Sequence, residues 1–383
     1  MRAIATAQLF RVTLATLLIE MAFTVLLHFP RFLTELGASE LDIGLLYGTA
    51  AAVNIVLRPW MGRSIDRHGR RQVVAVGGSI SAMALLSFST IDTFGATIFV
   101  VTIVYMSGQV IAFTALYAHA TDVVPAGGRT RGLALFSISF LLPLALGSIL
   151  GERLLAVADF DVLFFGAVGF IAGAIAITAT LADPGIETVE PRRSFFATLG
   201  QRDLRPLWLL SAMYGLGITS LYTWMRTYTD TSSVGSLGLF FGVFASTAIM
   251  VSFTSNSWPG EKDEKRILAL GILTFLAGFF LLAFAGTTTP FVVSAALLGV
   301  GQAFVVPIMV SAIADRSRPS ERGSAMAIFV ALFDVAALVG GPIMGATIQF
   351  AGYSTAFAGV ATTLAAGFGL FFWWDGAIRP RSI

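Results

Sequence analysis

The chain of 383 residues is 56% hydrophobic and only 12% charged, whereas soluble domains carry about a quarter charged residues. A net charge of +2 gives no reason to expect a nucleic-acid partner, and the lack of cysteine excludes disulfides and thiolate metal sites. Three separate histidines also argue against a metal site. The composition therefore predicts a protein with many membrane-spanning helices rather than one large soluble core.

Apolar runs along the chain predict twelve spanning helices, because each run is long enough to cross a hydrocarbon core of roughly 30 Å. Helices satisfy their own backbone groups in lipid, and strand-like alternation is missing, so we predict an all-α integral membrane protein. The first run lacks a small-residue cleavage pattern and is interpreted as a retained helix, not a signal peptide. In order, the runs are 10–33, 41–61, 72–91, 95–120, 132–155, 161–182, 206–228, 234–255, 266–286, 289–313, 323–350 and 353–375.

Lysine and arginine concentrate on one side of these predicted spans. If the N-terminus is inside, all but three of the 24 basic residues fall on inner segments, the exceptions being Arg31, Arg153 and Arg226. Inner loops of membrane proteins carry this excess of positive charge. We therefore expect a multi-pass protein of the cytoplasmic (inner) membrane with both termini in the cytoplasm.

A polar segment near the midpoint separates the first six runs from the last six. It contains several prolines and charges of both signs, which is typical of a linker. The predicted domains are an N-terminal six-helix half (1–182), a cytoplasmic linker (183–205) and a C-terminal six-helix half (206–383).

Two short patterns recur at nearly the same distance along the chain. Gly108-Gln109 recurs as Gly301-Gln302 after 193 residues, and Arg131-Gly132-x-Ala134 recurs as Arg322-Gly323-x-Ala325 after 191 residues. Both repeats fall on equivalent predicted helices, which favours two pseudo-symmetric halves of a kind common in transporters.

One polar stretch between the second and third runs is denser in charge than any apolar helix should tolerate. We predict a short polar turn at the membrane surface, because its glycines allow a tight turn and its charges complement helix dipoles. An ordinary arginine-rich inner loop is the alternative. The stretch reads Arg58-Pro59-Trp60-Met61-Gly62-Arg63-Ser64-Ile65-Asp66-Arg67-His68-Gly69-Arg70-Arg71.

The spacing within this stretch resembles the signature loop between helices 2 and 3 of the major facilitator superfamily, and the twelve runs, the linker and the repeated patterns extend the resemblance over the whole chain. It implies two six-helix halves around a central cavity that opens alternately to either side. It also implies that the loop locks the cytoplasmic side, with Asp66 near Gly323 and Arg70 near polar groups. The matching positions are Gly62, Asp66, Arg67, Gly69, Arg70 and Arg71.

Predicted helix 11 points to the efflux-type members of this superfamily. There Asp334 is followed by Gly340-Gly341-Pro342-x-x-Gly345, which is similar to exporters of sugars or drugs. The chain differs from drug/proton antiporters in two places. Helix 5 has only the degenerate pattern Leu142-Pro143-x-x-x-Gly147-x-x-x-Gly151, and helix 4 carries no arginine around 104–113.

Two acidic residues, Glu20 and Asp334, lie deep within predicted spans, each roughly 15 Å from the cytoplasmic face. A charge there costs about 2.5–3.5 kcal/mol on insertion scales. A carboxyl group in that position can bind and release a proton or bind substrate. The alternative is a hydrogen-bonded structural carboxyl.

Other polar side chains in the spans are further candidates for proton or substrate binding. On helix 1, Thr24, Leu27 and Arg31 share a stripe with Glu20, flanked by His28, and a stripe of this polarity should face water. Arg31 can instead extend to the interface, and His28 can simply be packed. The amides of Gln109 and Gln302 suit hydroxyl-bearing or amide-bearing ligands, or they join helices. Trp224 and Arg226 can bind substrate, although an interfacial belt is the favoured interpretation.

These features predict a secondary active transporter that moves a small neutral or amphipathic solute, with proton-coupled export favoured. An uncoupled facilitator of sugars or other metabolites is the alternative. The absence of a phosphate-binding loop excludes ATP as the driving force, and no enzyme motif supports an intramembrane enzyme or a ligand sensor. We expect no cofactor, a proton gradient as driving force, a small-molecule substrate, the lipid bilayer as partner, no nucleic acid, and a monomer.

Overall fold

The structure of the chain is a computed structural model that describes residues 2–123, 129–182, 198–255, 264–318 and 321–378. All regular secondary structure in these ranges is helical. The helices are α1 (Arg2–Val25), a 3-10 turn (Leu26–His28), α2 (Phe29–Glu35), α3 (Glu40–His68), α4 (Arg70–Phe88), α5 (Ala96–Val123), α6 (Arg129–Leu155), α7 (Phe160–Ala179), α8 (Arg205–Ser232), α9 (Leu237–Ser255), α10 (Glu264–Ala283), α11 (Thr288–Arg316) and α12 (Arg322–Ile378).

The all-α membrane fold predicted from hydrophobicity is confirmed, since each of the twelve apolar runs lies on helix. Within the described ranges, nine helices are long and apolar enough to cross a membrane. One of them, α12, covers the last two predicted runs and changes direction at Gly352. The count of twelve spans is consistent with this arrangement.

Two connections between helices consist of a single glycine. Gly69 joins α3 to α4 with φ 82° and ψ 159°, and Gly352 divides α12 with φ 80° and ψ 169°. Only glycine adopts this region of the backbone map without large strain. The connection between α3 and α4 is therefore a one-residue turn.

The polar turn predicted over residues 58–71 is accordingly too long. Helix α3 continues through Pro59 to His68, with the basic residues in its last turns. Positive side chains near a helix C-terminus stabilise its unpaired carbonyl groups, so the charges extend the helix instead of ending it.

The described residues form two compact units. Unit 1 contains Met1–Ala38, Val56–Thr188 and Leu237–Ala245. In it, α1 packs on α6 and α7, and α4 packs on α5 and α7. Helices α4 and α5 approach closely at Gly77 and Gly108, where a Cβ atom on Gly77 would lie 2.8 Å from the Gly108 carbonyl oxygen.

Unit 2 contains Ser39–Ile55, Val189–Ser236 and Ser246–Ile383. In it, α8 packs on α12, and α10 packs on α11 and α12. Helices α10 and α11 approach closely at Gly271 and Gly301, where a Cβ atom on Gly301 would lie 2.9 Å from the Gly271 carbonyl oxygen. These glycines follow Gly77 and Gly108 by 194 and 193 residues, so the predicted repeat has a counterpart in helix packing.

Each unit includes a segment from the other side of the midpoint. In unit 2, the start of α3 packs on α12, and the Leu41 amide donates to Gln349 Oε1 at 3.3 Å. In unit 1, the start of α9 packs on α6, and the Gly238 amide donates to Glu152 Oε2 at 3.0 Å. The division into halves at the linker stays a prediction, and residues 183–197 of that linker lie outside the described ranges.

Candidate functional site

Glu20 lies on α1 in unit 1, half-buried, next to the fully buried Ile19. Among the described residues, no ion pair joins its carboxyl group to a lysine, arginine or histidine. Its backbone oxygen accepts a hydrogen bond from Thr24 Oγ1 at 2.8 Å, which is an ordinary bond within a helix. The carboxyl group is therefore available to bind a proton or another cation.

Gln109 on α5 lies beside the turn of α1 that carries Glu20. Its side chain is buried, and its Nε2 donates to the carbonyl oxygen of Ile19 at 3.0 Å. Its Oε1 is shielded from solvent and has no hydrogen-bond partner in the described part of the chain. The structure thus brings two predicted site residues, Glu20 and Gln109, to neighbouring positions and leaves an acceptor there without a donor.

Four aromatic side chains, here called the ring cluster, lie between α5 and α6 in unit 1. The ring centroids of Phe113 and Phe140 are 5.6 Å apart, and those of Tyr117 and Phe136 are 5.8 Å apart. Phe136 is buried, Phe113 and Phe140 are half-buried, and Tyr117 is 39% exposed. Such edge-on and tilted pairs are favourable arrangements of aromatic rings.

The packing of α1 on α6 gives the depth of the ring cluster relative to Glu20. Thr24 faces Gly147 and His28 faces Gly151, so the two helices run parallel in a fixed register. In that register Phe140 is level with Leu17, about one helical turn from Glu20. The ring cluster therefore begins roughly 5 Å along the helices from the carboxyl group.

Sequence reasoning missed the ring cluster, although one signal was available. Gln109, Phe113 and Tyr117 follow each other at intervals of four residues on α5. At about 100° per residue, Phe113 points roughly 180° away from Val104, which is an exposed apolar residue of that helix. The aromatic residues thus belong to the face of α5 that also carries Gln109.

Two other predicted residues, Thr24 of α1 and His28 of the 3-10 turn, pack against α6. Thr24 is 2% exposed and fits against Gly147, while His28 is fully buried, with Nε2 2.9 Å from the carbonyl oxygen of Ser148. The glycines of the degenerate helix 5 pattern are what make room for them, since a Cβ atom on Gly151 would meet the His28 ring.

The prediction that Thr24, Leu27 and Arg31 form a water-facing stripe is therefore wrong. Thr24 and Leu27 are buried, and Arg31 forms an exposed ion pair with Glu35 at 2.9 Å. Thr24 is buried because it packs against Gly147. The 3-10 turn at Leu26–His28 changes the direction of Leu27 and Arg31, because each of its residues turns the chain about 20° more than an α-helical residue.

Unit 2 holds the second acidic candidate. Asp334 is half-buried on α12, and it follows Phe140 by 194 residues. Tyr214 on α8 follows Glu20 by the same 194 residues, is buried, and packs edge-on against Phe333 with ring centroids 5.9 Å apart. Gln302 on α11 is half-buried, and its Oε1 has no hydrogen-bond partner among the described residues.

Trp224 and Arg226 lie within unit 2 rather than on its surface. Trp224 is 1% exposed, and Arg226 is buried and pairs with Asp230 at 2.8 Å. An interfacial belt faces lipid, so that interpretation is wrong for these two residues.

The positions that match the signature loop, here called the gating motif, connect helix ends within unit 1. Arg70 Nε donates to Asp122 Oδ2 at 2.9 Å, which joins the start of α4 to the end of α5. Arg71 donates to the carbonyl oxygen of Ala179 at the end of α7, and Arg67 is exposed. The surroundings of Gly62 and the side chain of Asp66 are not described, so the expected contact of Asp66 stays a prediction.

A corresponding cluster at the helix ends of unit 2 was not predicted. Asp375 near the end of α12 is buried and pairs with Arg316 of α11 and, at 3.9 Å, with Lys265 of α10. Nearby, Gln201 donates to Glu321, which is 1% exposed. Asp375 is the last residue of a predicted apolar run, and the hydrophobicity pattern does not indicate an ion-pair partner for it.

The described residues contain no group of three or more histidine, cysteine or acidic side chains that could hold a metal ion. The groups that the site in unit 1 offers a ligand are therefore a carboxyl group, an amide oxygen that accepts hydrogen bonds, and aromatic side chains. The comparable position in unit 2 offers a carboxyl group, an amide and a tyrosine.

Comparisons with known proteins agree with this architecture. The sequence profile described as Major Facilitator Superfamily matches residues 9–262 and 207–382. The staphylopine export protein of Staphylococcus aureus is 22% identical over 336 residues, which cover 83% of each chain. The uncharacterized MFS-type transporter YttB of Bacillus subtilis is 24% identical over 337 residues, which cover 82% of this chain and 81% of that one.

Solved structures show the same fold. The human organic anion transporter MFSD10 superimposes with a TM-score of 0.74 at 19% identity, covering 96% of this chain and 99% of its own. The nucleoside transporter NupG superimposes with a TM-score of 0.75 at 14% identity, covering 96% of this chain and 98% of its own. At these identities the likeness concerns the fold alone.

Proposed function

We propose a function from one premise, that the chain belongs to the major facilitator superfamily of transporters. It is a multi-pass membrane protein, and a relative of similar length is an export protein. The proposal is that this chain is a secondary active transporter that exports a small neutral or amphipathic solute in exchange for protons. Alternating access of a binding site to the two sides of the membrane would couple the two fluxes.

The observation that supports proton coupling is the carboxyl group of Glu20. It is half-buried in a predicted span and has no described cation as ion partner. An unpaired carboxylate inside a membrane is costly, by about 2.5–3.5 kcal/mol on insertion scales, so a bound proton or a bound cation stabilises it. Export follows if the solute displaces the proton on one side and the proton displaces the solute on the other.

Asp334 is the second candidate for the proton, since it is the acidic residue at mid-span in unit 2. Gln109 and Gln302 each hold an oxygen without a donor among the described residues. Such acceptors suit hydroxyl or amine donors on a solute. Aromatic surface next to one of them favours an amphipathic solute over a highly charged metabolite.

Placement in the cytoplasmic membrane with both termini inside is part of the same proposal. It is supported by the concentration of lysine and arginine on the predicted inner segments. The basic residues of the gating motif belong to those segments, and the pair of Arg70 with Asp122 would stabilise one state of the transporter.

The test is proton exchange in vesicles that contain the purified full chain. A fluorescent dye reports an imposed pH gradient, and D-glucose, 2-phenylethanol and 2-phenylethylamine are added in turn. We expect at least one solute to dissipate the gradient with the unmodified protein and not with Glu20→Gln. Glu35→Gln is the control, because this exposed carboxyl group pairs with Arg31 away from the site.

Gradient dissipation that survives in Glu20→Gln would contradict proton binding at this residue. If the rate of solute movement does not depend on the pH gradient, the protein is instead an uncoupled facilitator. The protein must first be shown to be folded, and thermal stabilisation by solute serves that purpose, since a ligand at 100 times its Kd adds about 2.7 kcal/mol.

A further inference from the structure

We infer that Glu20, Gln109 and the ring cluster bind a protonated primary amine that carries an aromatic group. This inference rests on the proposed function and names the class of solute that the site in unit 1 takes. All of its residues belong to unit 1, on α1, α5 and α6.

The polar end of the site consists of acceptors. The carboxyl group of Glu20 brings negative charge without a described cation, and Oε1 of Gln109 is shielded from solvent without a donor. The orientation of the Gln109 amide is fixed, because a flip would place its oxygen against the Ile19 carbonyl oxygen that Nε2 now contacts at 3.0 Å. A ligand that satisfies both groups must supply a positive charge and at least two N–H donors.

A primary ammonium group meets this requirement. It has three N–H donors, so it can bind the Glu20 carboxylate and the Gln109 oxygen together. A quaternary ammonium has the charge but no donor, and an alcohol has one donor but no charge. The donor-free acceptor on Gln109 therefore distinguishes a primary amine from a quaternary cation.

The apolar end of the site is aromatic. Phe113 and Phe140 are half-buried and 5.6 Å apart, and they lie about one turn from Glu20 in the register of α1 and α6. An aromatic group joined to the ammonium by a short spacer reaches these rings when the ammonium is at Glu20. Ring pairs of this kind stabilise a complex beyond the burial of their area.

The matching positions of unit 2 do not repeat this combination. Tyr214 lies 194 residues after Glu20, the interval that also separates Gly77 from Gly271. The inferred amine site consequently belongs to unit 1 alone.

Calorimetric titration of the purified full chain at pH 7 tests the inference with three probes of one carbon skeleton. These are 2-phenylethylamine, 2-phenylethanol and trimethyl(2-phenylethyl)ammonium. We expect the amine to bind at least tenfold more tightly than either analogue. Glu20→Gln should weaken the amine at least tenfold and leave the alcohol unchanged, and Gln109→Leu should reduce the preference for the primary over the quaternary amine.

Phe140→Leu should weaken the amine and the alcohol alike, since both use the ring cluster. Two controls match these variants in chemistry: Glu35→Gln removes an exposed carboxyl group, and Phe165→Leu trims an exposed ring that is 53% accessible. Neither should change any of the three affinities. A thermal scan of each variant shows whether it is folded.

Equal affinity for the primary and quaternary amines in the unmodified protein would overturn the inference, and so would an unchanged amine affinity in folded Glu20→Gln. The inference is also overturned if the folded protein does not bind the amine at concentrations up to about 10 mM. The proposed function is tested separately. If Glu20→Gln abolishes proton exchange but keeps amine binding, proton coupling stands and the amine site does not.

Discussion

The two units use the same helix register with different chemistry at matching positions. Close approach of helices is kept, at Gly77 and Gly108 in unit 1 and at Gly271 and Gly301 in unit 2. Polar chemistry is not kept, since a glutamate on α1 corresponds to a tyrosine on α8, 194 residues later. A repeated scaffold tolerates this exchange because the glycines hold the helices together regardless of what the neighbouring polar positions carry.

The helix ends differ in the same way. In unit 1, Arg70 and Asp122 form a pair whose side chains are 17% and 32% exposed, whereas in unit 2 the side chains of Arg316 and Asp375 are 10% and 8% exposed. Both pairs join the ends of neighbouring helices. The difference in burial indicates that unit 2 depends on its pair for stability more than unit 1 does.

The largest expected effect is on thermal stability, and it tests the difference in burial between these two ion pairs. Asp375→Asn removes the negative charge that pairs with the buried Arg316. Breaking a buried ion pair in this way costs about 3–5 kcal/mol. Asp122→Asn breaks a more exposed pair and should cost below about 1 kcal/mol. Thermal unfolding of the two variants in detergent should show a clear fall in Tm for the first and little change for the second. Equal falls would remove the distinction between the units.

A smaller effect is expected where α3 and α12 touch in unit 2. A Cβ atom on Gly44 would lie 2.8 Å from the carbonyl carbon of Gly341 and 3.2 Å from the Cα atom of Pro342, and backbone atoms cannot rotate away. Gly44→Ala should therefore lower the free energy of unfolding by about 1–3 kcal/mol, read as a lower Tm.

The control lies in the corresponding segment of unit 1. A Cβ atom on Gly242 would lie 3.6 Å from Ile149 Cδ1, which is ordinary contact with a mobile side chain. Gly242→Ala should leave Tm unchanged or raise it slightly, because alanine favours a helix by about 0.5–1 kcal/mol over glycine. Similar losses in both variants would mean that the two segments pack equally tightly.

The smallest effect concerns the two glutamines. Gln109→Leu removes the hydrogen bond to the Ile19 carbonyl oxygen, and such bonds between membrane helices average about 0.6 kcal/mol. Gln302→Leu removes an oxygen that has no described partner, so stability should not fall. Comparison of the two Tm values sharpens the view that the first amide has a structural role as well as a binding role. A greater loss for Gln302→Leu would contradict it.

Hydrophobicity predicted the helices well because lipid leaves the backbone no alternative to internal hydrogen bonds. It also makes Glu20 a candidate site residue, since an acidic residue within an apolar run stands out, and its role stays a prediction. It did not identify the ring cluster, because the 33 phenylalanines of the chain look the same whether they face lipid, a neighbouring helix or a ligand. The 3-10 turn at Leu26–His28 was equally invisible, as no glycine or proline lies within those three residues.

The one-residue connections at Gly69 and Gly352 have a consequence for how this sequence can vary. Each holds a backbone conformation that amino acids with a Cβ atom adopt only at a cost of order 1–3 kcal/mol. Lipid-facing positions on the spans accept almost any apolar residue of similar volume, so the amino acid at such a position can change within that class. Mutational freedom is therefore narrow at these two turns, because any other residue would bring a Cβ atom into this strained conformation.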